Sequence, residues 1–488
     1  METRRKLLKA KIFGITALMV VSGVSCIFSI GSVYAQLYEQ WHVNYGGGDS
    51  EWGNAVQQTG DGGYVIVGDT ESFGEGEEDV YVVKTDPDGE MQWYNSFGGS
   101  GVDIGSAVQQ MADGGYVIAG YTNSFGEGGN DGYLIRTDSD GEMLWSKTFG
   151  GSKYDAFNDI LLTEEGDLII AGYTGSWGAG AYDVWLLKVN PDGEMLWNMT
   201  YGGSKGDIGN ALLIAEDGGF IVTGETSSSG AGWSDVLLLK TAPVGEMLWN
   251  QTFGGEVTDR GYAVAESGDG GYVIAGSTES FGAGYVDAYV VKVDSDGGLQ
   301  WDEAFGGESD DKGYSVQLTA EGGYIVAGDT KSFGAGQDDI WLFEVDSDGG
   351  ILWDQTLGGA VIDNGRHIQG TDDGEYVIVG RTWSFGAQGG DAWLVKLSAE
   401  EPETETETET EEETETEAEE ETETETEEEP EEEPEKPGGI PGFPFESVAV
   451  GLAVVTVILL GLRRDAAYPR ISLSSEVGSY TSTNKKRR

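Results

Sequence analysis

The segment W-S-K-T-F-G-G, residues 145–151, follows a turn that reads D-S-D-G-E, residues 138–142. Its tryptophan recurs at a constant spacing of 52 residues, as Trp41, Trp93, Trp145, Trp197, Trp249, Trp301 and Trp353. A fixed period in the range of about 40–50 residues is typical of β-propellers, in which each repeat forms one four-stranded blade around a central axis. The spacing therefore indicates seven copies of one structural unit.

Each copy contains four short runs that are typical of β-strands, rich in Val, Ile and Tyr and bounded by Gly or Asp. In the copy that starts at Trp93 the runs are residues 93–97, 103–110, 115–120 and 131–137. An isolated Trp-type strand, residues 37–45, precedes the first full copy, and residues 391–397 end the last copy without a Trp-type partner. We therefore predict an all-β, seven-bladed β-propeller over residues 36–399, with the last blade closed by the N-terminal strand.

The two ends of the chain predict export and anchoring. Residues 1–35 combine a basic start with a mostly apolar run and end in V-Y-A, which is typical of a signal peptide; a retained N-terminal anchor is the alternative. Residues 443–462 form an apolar run long enough to cross a bilayer as one helix. Because residues 463–488 carry clustered Arg and Lys, we expect this tail in the cytoplasm and the propeller outside, in a single-pass cell-surface protein.

Residues 400–442 separate the propeller from the predicted membrane helix. Much of this segment alternates Glu and Thr, and neither face of that alternation is apolar, so no sheet could bury it. In a helix, glutamates would lie beside one another at i and i+4, which is unfavourable. We therefore expect a disordered, self-repelling acidic stalk. A loose cation-binding segment or an O-glycosylated stalk is compatible with the same composition.

Composition excludes several functions. The formal net charge is -60, and the propeller region shows no cluster of Lys and Arg of the kind that nucleic-acid binding needs, so no nucleic-acid partner is expected. Cys26 is the one cysteine and lies in the predicted signal peptide. The two histidines, His42 and His367, are far apart in sequence. We therefore expect neither disulfides nor a Cys/His zinc site in the propeller.

Three polar positions recur in almost every copy. One phase is occupied by Asp79, Asp131, Asp183, Asp235, Asp287, Asp339 and Asp391. A second is occupied by Glu51, Asp103, Asp155, Asp207, Asp259, Asp311 and Asp363, and a third by Ser72, Ser124, Ser176, Ser228, Ser280, Ser332 and Ser384. A residue present in every blade is expected to support the blade, because a catalytic pair would be needed only once. We therefore predict no catalytic residue and expect these side chains to bond to loop N–H groups. The repeated tryptophans are expected to pack between blades.

Paired carboxylates also occur in the turns before the tryptophans, as Asp86, Asp88, Asp138, Asp140, Asp294, Asp296, Asp346 and Asp348. Such spacing is reminiscent of calcium loops, which gather several oxygen ligands on one short turn. Each turn offers only two carboxylates, and the copy A-P-V-G, residues 242–245, lacks both and keeps the phase of the repeat. We interpret these segments as hairpin turns, with calcium as a minority hypothesis and no other cofactor.

The positions that vary between copies lie in the connections that we expect on one face of the disc. Just before the constant Asp, three successive copies carry an aromatic residue, Tyr182, Trp233 and Tyr285. A second variable position reads Asp69, Tyr121, Tyr173, Glu225, Ser277, Asp329 and Arg381. We expect the three aromatic residues to form a recognition surface for a glycan or a partner protein, because exposed rings give large contact area at low entropic cost. The alternative is that the rings pack on their own loops. Asn198 and Asn250 lie in N-x-T sequons and are candidate glycosylation sites.

The repeat G-G-Y-V-I-A-G…S-F-G-A-G…F-G-G, at residues 270–307, resembles a group of uncharacterised β-propellers on archaeal and bacterial cell surfaces. The segment I-P-G-F-P-F-E, residues 440–446, resembles the PGF-type C-terminal signal of archaeal surface proteins, in which the anchor can be cut and replaced by a lipid. The tail after residue 462 is longer than that family's, so we favour a retained helix.

Three functions are compatible with this organisation. A binding or adhesion module agrees with export, stalk, anchor and the lack of catalytic residues. Some relatives in the resembling group carry glucanase-type names, which makes a carbohydrate-active surface enzyme the alternative; it would need two carboxylates roughly 5–10 Å apart that the other blades do not share. A structural protein of the cell envelope is the third hypothesis.

Overall fold

The computed structural model describes residues 18–21, 24–27, 36–386 and 389–399. The predicted stalk 400–442, membrane helix 443–462 and tail 463–488 lie outside the described residues, as does most of the predicted signal peptide. Within that segment two short strands, Leu18–Val21 and Val24–Ile27, pair antiparallel. No helix of the described residues is long and apolar enough to cross a membrane.

Seven four-stranded antiparallel sheets form the blades of a propeller, which confirms the predicted fold. The inner strands are Glu51–Gln58, Asp103–Gln110, Asp155–Leu162, Asp207–Ile214, Asp259–Glu266, Asp311–Leu318 and Asp363–Gly370. The second strands are Tyr64–Thr70, Tyr116–Thr122, Leu168–Thr174, Phe220–Thr226, Tyr272–Thr278, Tyr324–Thr330 and Tyr376–Thr382. The third strands are Asp79–Thr85, Asp131–Thr137, Asp183–Val189, Asp235–Thr241, Asp287–Val293, Asp339–Val345 and Asp391–Ser398. The outer strands of blades 1 to 6 are Met91–Phe97, Met143–Phe149, Met195–Tyr201, Met247–Phe253, Leu299–Phe305 and Ile351–Leu357, and that of blade 7 is Tyr38–Tyr45.

The ring closes in blade 7, as the sequence predicted. Its third strand, Asp391–Ser398, pairs with the N-terminal strand, so that Tyr38 lies opposite Ser398 and Tyr45 lies opposite Ala392. Each inner strand contacts the inner strand of the next blade, and the inner strand of blade 7 contacts that of blade 1. The described blades therefore form a continuous ring.

In the copy that starts at Trp93, two strands have other boundaries than the sequence predicted. The outer strand of blade 1 begins at Met91 rather than at Trp93, because Thr85 pairs with Met91 across a bulge. The second strand of blade 2 begins at Tyr116 and continues to Thr122, whereas Gly115 belongs to the preceding turn, where its carbonyl accepts the Met111 N–H at 2.8 Å.

Apolar side chains pack between neighbouring blades in seven clusters, one at each blade interface. The repeated tryptophans belong to these interfaces: the rings of Trp93 and Tyr116 lie 5.8 Å apart across blades 1 and 2. Gly141, in the last turn of blade 2, has φ 83, and a Cβ there would lie 2.7 Å from the Trp93 ring. The packing thus explains both the constant Trp and the glycine of the following turn.

The connections define two faces. The loops after the second strands and the loops between blades meet on one face, which we call the top face; for example, the Asp103 N–H donates to the Glu78 carbonyl at 2.7 Å. The remaining turns lie on the bottom face. Since Tyr38 and Ser398 pair at that end of blade 7, the propeller begins and ends at the bottom face. The loops that vary between copies are therefore opposite the two ends.

Candidate functional site

The second repeated carboxylate holds the top loops in place. In blade 6, Asp311 accepts the Gly307 N–H at 2.7 Å, the Thr330 hydroxyl at 2.5 Å and the Ser332 hydroxyl at 2.6 Å. Ser332 in turn accepts the Ser309 N–H at 3.1 Å. In blade 1 the longer Glu51 makes the corresponding bonds to the Gly47 N–H and the Thr70 hydroxyl. These side chains organise loops, which agrees with their presence in every copy.

The two repeated carboxylates form buried pairs between blades. Gly98 lies between the members of one pair, since a Cβ there would lie 1.9 Å from Asp79 Oδ1 and 2.6 Å from Asp103 Oδ2. Burial, followed by the charge of Asp103, raises the pKa of Asp79 to about 6. Burial and the charge of Asp155 likewise raise the pKa of Asp131 to about 6, although the Glu127 N–H opposes them. Asp79 and Asp131 are therefore protonated more readily than ordinary carboxyls.

The acidic bottom turns have the geometry of hairpins. Asp86 Oδ1 accepts the N–H groups of Asp88 and Glu90 at 3.0 and 2.9 Å, and Asp138 makes the same two bonds in the next blade. Among the described residues, no group of three or more Asp, Glu, His or Cys side chains is arranged to hold a metal ion. These bonds explain why Asp occupies the first position of these turns. Calcium binding stays a hypothesis.

The three predicted aromatic residues lie on the top face in successive blades. Trp233 and Tyr285 are 76% and 86% exposed. Tyr182 is half-buried, with its ring 5.2 Å from that of Tyr173 in an edge-to-face contact. Two of the three rings are therefore free to contact a partner, whereas Tyr182 partly packs on its own blade.

Blade 4 lacks an aromatic pair that the other six blades share. In those blades a loop ring packs against a ring of the third strand: Phe73–Tyr81, Phe125–Tyr133, Trp177–Trp185, Phe281–Tyr289, Phe333–Trp341 and Phe385–Trp393. Blade 4 has Ser229 and Leu237 at these positions. Both residues line a pocket of about 390 Å³ that also touches Asn250. The missing pair thus leaves space at the edge of blade 4.

Restoring the pair should stabilise the propeller. We expect S229F/L237Y to raise the free energy of unfolding by about 1 kcal/mol, because two contacting rings fill the pocket and bury apolar area. Chemical denaturation of the variant and the parent measures the change. The single variant L237Y is the control. Its free energy of unfolding should increase less, since the new ring has no aromatic partner. A double variant less stable than the parent would show that the loop of blade 4 cannot accept the rings.

A second group of non-repeating residues lies where the inner and second strands reach the top face. The Arg366 guanidinium carbon lies 4.3 Å from the ring centre of Tyr314 and 4.8 Å from that of Trp52. The Arg381 guanidinium carbon lies 4.5 Å from the ring centre of Trp52 and 4.7 Å from that of Trp383. We call these five residues, contributed by blades 6, 7 and 1, the cation–aromatic cluster.

Buried carboxylates lie beside the cluster. Among the described residues, no ion pair joins them to its two arginines. Asp69 accepts the Asn54 amide at 3.1 Å, and burial, followed by the charge of Glu78, raises its pKa to about 7. Asp329 accepts the Gly365 N–H at 2.8 Å, and burial raises its pKa to about 6. Burial also lowers the pKa of Arg381.

Arg260, in blade 5, shows the contrasting arrangement. Its guanidinium pairs with Glu225 at 3.0 Å and lies 3.8 Å from Glu279. Neither Arg366 nor Arg381 belongs to any ion pair of the described residues. Arg381 Nε is also buried without a hydrogen-bond partner in the described part of the chain. Neither guanidinium is therefore neutralised by an ion pair within the described residues, and Arg381 keeps a donor that the fold does not use.

Sequence reasoning singled out only one member of this cluster, Arg381. Trp52, Tyr314 and Arg366 lie on inner strands, so a comparison of the variable loops alone does not reveal them. One inner-strand phase reads Asn54, Ser106, Asn158, Asn210, Tyr262, Tyr314 and Arg366. The change from small polar side chains to aromatic and cationic ones in blades 5 to 7 is a signal that comparison of the copies would have found.

The candidate glycosylation sites occupy equivalent places. Asn198 and Asn250 are exposed on the outer strands of blades 3 and 4. Each amide contacts the methionine sulfur three residues earlier at 3.4 Å. Their side chains are accessible from the rim of the disc.

Comparisons with known proteins agree with the fold. A family model described as a domain of unknown function that forms a β-propeller (DUF5122) matches residues 112–143. The Regulatory protein FlaEY of Caulobacter vibrioides is 27% identical over 178 residues; the match covers 33% of this chain and 18% of that protein. The chain thus matches less than a fifth of the length of this relative.

Solved structures of similar shape include the Pan2 WD40 domain of Neurospora crassa. It is 11% identical, with 74% of this chain and 95% of that chain covered and a TM-score of 0.46. Sqt1 from Chaetomium thermophilum is 12% identical, with 72% of this chain and 86% of that chain covered and a TM-score of 0.42. By its own sheet topology and the match of residues 112–143, the chain is a β-propeller repeat protein.

Proposed function

We propose that this chain is a cell-surface binding or adhesion module that recognises a glycan or a partner protein through the top face of its propeller. The observation that carries the proposal is the exposure of Trp233 and Tyr285, at 76% and 86%, on successive top loops. Large rings that are not used for packing within the fold are typical of recognition surfaces, where they contribute most of the binding energy.

The position of the propeller ends supports this proposal. The chain enters and leaves the ring at the bottom face, so the tether that we propose would be attached to the side opposite the top loops. We propose that residues 1–35 direct export, that residues 400–442 form the stalk, and that residues 443–462 anchor the protein with residues 463–488 in the cytoplasm. Asn198 and Asn250, on the rim, are proposed glycosylation sites that leave the top face free.

A carbohydrate-active enzyme is the alternative, and a structural envelope protein the second alternative. The repeated carboxylate pairs do not favour an enzyme, since they serve as loop supports in every blade. The non-repeating Asp69 and Asp329 bond to their own scaffold and lie beside arginines. A binding role needs none of these groups to react.

Removal of the exposed rings should abolish binding. The fragment 36–399 contains all seven blades and can be screened against a glycan array and against surface-protein extracts. We expect Y182A/W233A/Y285A to weaken the binding that the parent shows by at least about tenfold, as is typical of aromatic anchors.

The matched control removes exposed apolar side chains elsewhere. L144A/L196A/L248A truncates three exposed residues on the outer strands, and its binding should equal that of the parent. If the aromatic variant binds as well as the parent, the three rings are not the recognition surface. Hydrolysis of an arrayed glycan by the parent would favour the enzyme instead.

A further inference from the structure

Aromatic rings fix the arginines of the cation–aromatic cluster, and neither arginine forms an ion pair among the described residues. A guanidinium carries five N–H donors in its plane, and stacking on an aromatic ring covers its face but not its edge. Arg366 stacks on Tyr314 and Trp52, and Arg381 stacks on Trp52 and Trp383. The rings therefore fix the orientation of both planes; Arg381 Nε is enclosed within the fold, and the terminal N–H groups are left for a ligand.

The two positive charges of the cluster also favour binding of an anion. The two guanidinium groups approach the same Trp52 ring. Burial lowers the pKa of Arg381, and the charge of Arg366 acts in the same direction against Asp69 and Glu71, whereas Tyr314 and Asp329 raise the pKa of Arg366 against its own burial. The nearest carboxyls, Asp69 and Asp329, are engaged by an amide and by a backbone N–H. A bound anion would lower the repulsion between the two guanidinium groups.

The shape and surroundings of the cluster favour a small carboxylate on an apolar ring. Carboxylates match the planar fork of arginine in a bidentate manner. Trp383 is 43% exposed beside Arg381 and offers ring area to a ligand. The rim carries Glu71, Glu77 and Glu78, and the whole chain has a net charge of -60, so a large polyanionic surface would be repelled.

We infer that the cation–aromatic cluster is a binding site for a short acidic saccharide, whose uronate carboxylate is held by Arg366 and Arg381 and whose ring contacts Trp383. This site rests on the proposed binding function and adds a ligand class to it. It lies in blades 6, 7 and 1 and shares no residue with Tyr182, Trp233 and Tyr285, which belong to blades 3 to 5. The two sites can therefore be tested separately.

The test uses the full-length protein in detergent and isothermal titration with digalacturonate. The probes for comparison are neutral galactobiose, inorganic phosphate and an Asp/Glu tetrapeptide. We expect digalacturonate to bind at least about tenfold more tightly than each of the three, because only it offers both the carboxylate and the sugar ring. Affinity that falls with added salt would agree with a charged contact.

Variants assign the binding to the cluster. We expect R366Q/R381Q to weaken digalacturonate binding by at least about tenfold. K153Q/K205Q is the matched control, since it removes two positive charges from exposed top loops of blades 3 and 4 and should change binding by less than about twofold. Because Arg366 lies deep in the cluster, W383A provides a more peripheral variant, which should also weaken binding. Melting curves establish that each variant is folded.

Several outcomes would overturn the inference. Equal binding of galactobiose would remove the role of the carboxylate, and equal binding of phosphate would mean an adventitious ion only. Tighter binding of the peptide would assign the cluster to an acidic protein partner. Unchanged binding by folded R366Q/R381Q would place the site elsewhere. Digalacturonate binding by Y182A/W233A/Y285A should equal that of the parent. The test of the cation–aromatic cluster therefore stays valid even if Tyr182, Trp233 and Tyr285 turn out not to bind a partner.

Discussion

Removal of residues 36–45 will prevent the propeller from folding into a stable monomer. These residues supply the outer strand of blade 7, and without them the third strand, Asp391–Ser398, loses one complete ladder. Tyr45 also donates its hydroxyl to the Gly89 carbonyl of blade 1 at 2.6 Å, and Trp41 packs on Tyr64. The deletion therefore breaks both a sheet and the interface that closes the ring. An exposed strand edge additionally promotes association. Size-exclusion chromatography and thermal unfolding measure the effect.

A circular permutant separates closure from chain order. It begins at Gly48, where an added side chain would meet no atom within 4 Å, and joins residue 399 to residue 36 through the turn sequence of residues 138–142. Since Tyr38 lies opposite Ser398, a short turn can connect the two strands. We expect this protein to unfold cooperatively, with a stability within about 2 kcal/mol of the parent. A deletion variant that melted like the parent would show that three strands suffice for blade 7.

Acidification from about pH 8 to about pH 5 will raise the melting temperature by several degrees. Burial raises the pKa of Asp69 and Asp159 to about 7, and burial raises the pKa of Asp79, Asp131 and Asp329 to about 6, from the ordinary value of 3.8. A carboxyl with a raised pKa binds its proton more tightly in the folded state. Stability therefore increases as the pH falls from about 7 towards 4, where the unfolded chain also becomes protonated.

His367 and several carboxyls, among them Asp61, act in the opposite direction. Burial lowers the pKa of His367 to about 4, so that protonation of the unfolded chain costs stability as the pH falls from 6.5 to 4. Burial opposes the charge of Asp61, but bonds from Thr59 and Lys84 lower its pKa to about 2, and this contribution is lost below 3.8. In the upper range His367 opposes the five carboxyls of raised pKa and also Glu78, Asp287 and Asp339, whose pKa burial likewise raises. The maximum of stability should therefore lie near about pH 4 to 5.

The variant D131N isolates one carboxylate pair. Asparagine keeps an oxygen for the Glu127 N–H, which Asp131 accepts at 2.8 Å, and its amide can face Asp155. We expect the melting temperature of D131N to depend less on pH than that of the parent. At about pH 8 the variant should be as stable as the parent or more stable. About 1 M salt screens the repulsion of exposed charges, so a dependence that persists there comes from buried groups. A melting temperature that fell steadily over the same acidification would contradict the assignment.

Most of the fold was predictable from the sequence because its signals are periodic. The constant Trp and the two acidic phases set the blade boundaries, and the unpaired strand at residues 37–45 revealed how blade 7 closes. The boundaries at Met91 and Thr122 were missed. Met91 is added by pairing across a bulge, and Thr122 by regular pairing with Asp103 and Asp131 beyond the apolar run. Periodicity locates strands better than it locates their ends.

The candidate site was predictable only in part. Comparison of loops identified Trp233 and Tyr285, which the structure shows exposed, and it could not foresee that Tyr182 leans on Tyr173. The cation–aromatic cluster required knowledge of three-dimensional register. Trp52 and Arg366 are separated by more than 300 residues and meet because the ring brings blade 7 against blade 1. No local pattern encodes that contact.

The order of strands in blade 7 has a mechanical consequence. The strand that continues into residue 399 is the third strand, and it is hydrogen-bonded on one side to Tyr376–Thr382 and on the other to Tyr38–Tyr45. A pull on the chain at residue 399 runs along this strand and loads both ladders in shear, so many bonds must break together. Had the C-terminal strand been the outer one, the same force would act on one ladder only. Closure by the N-terminal strand therefore makes the exit of the chain resistant to tension.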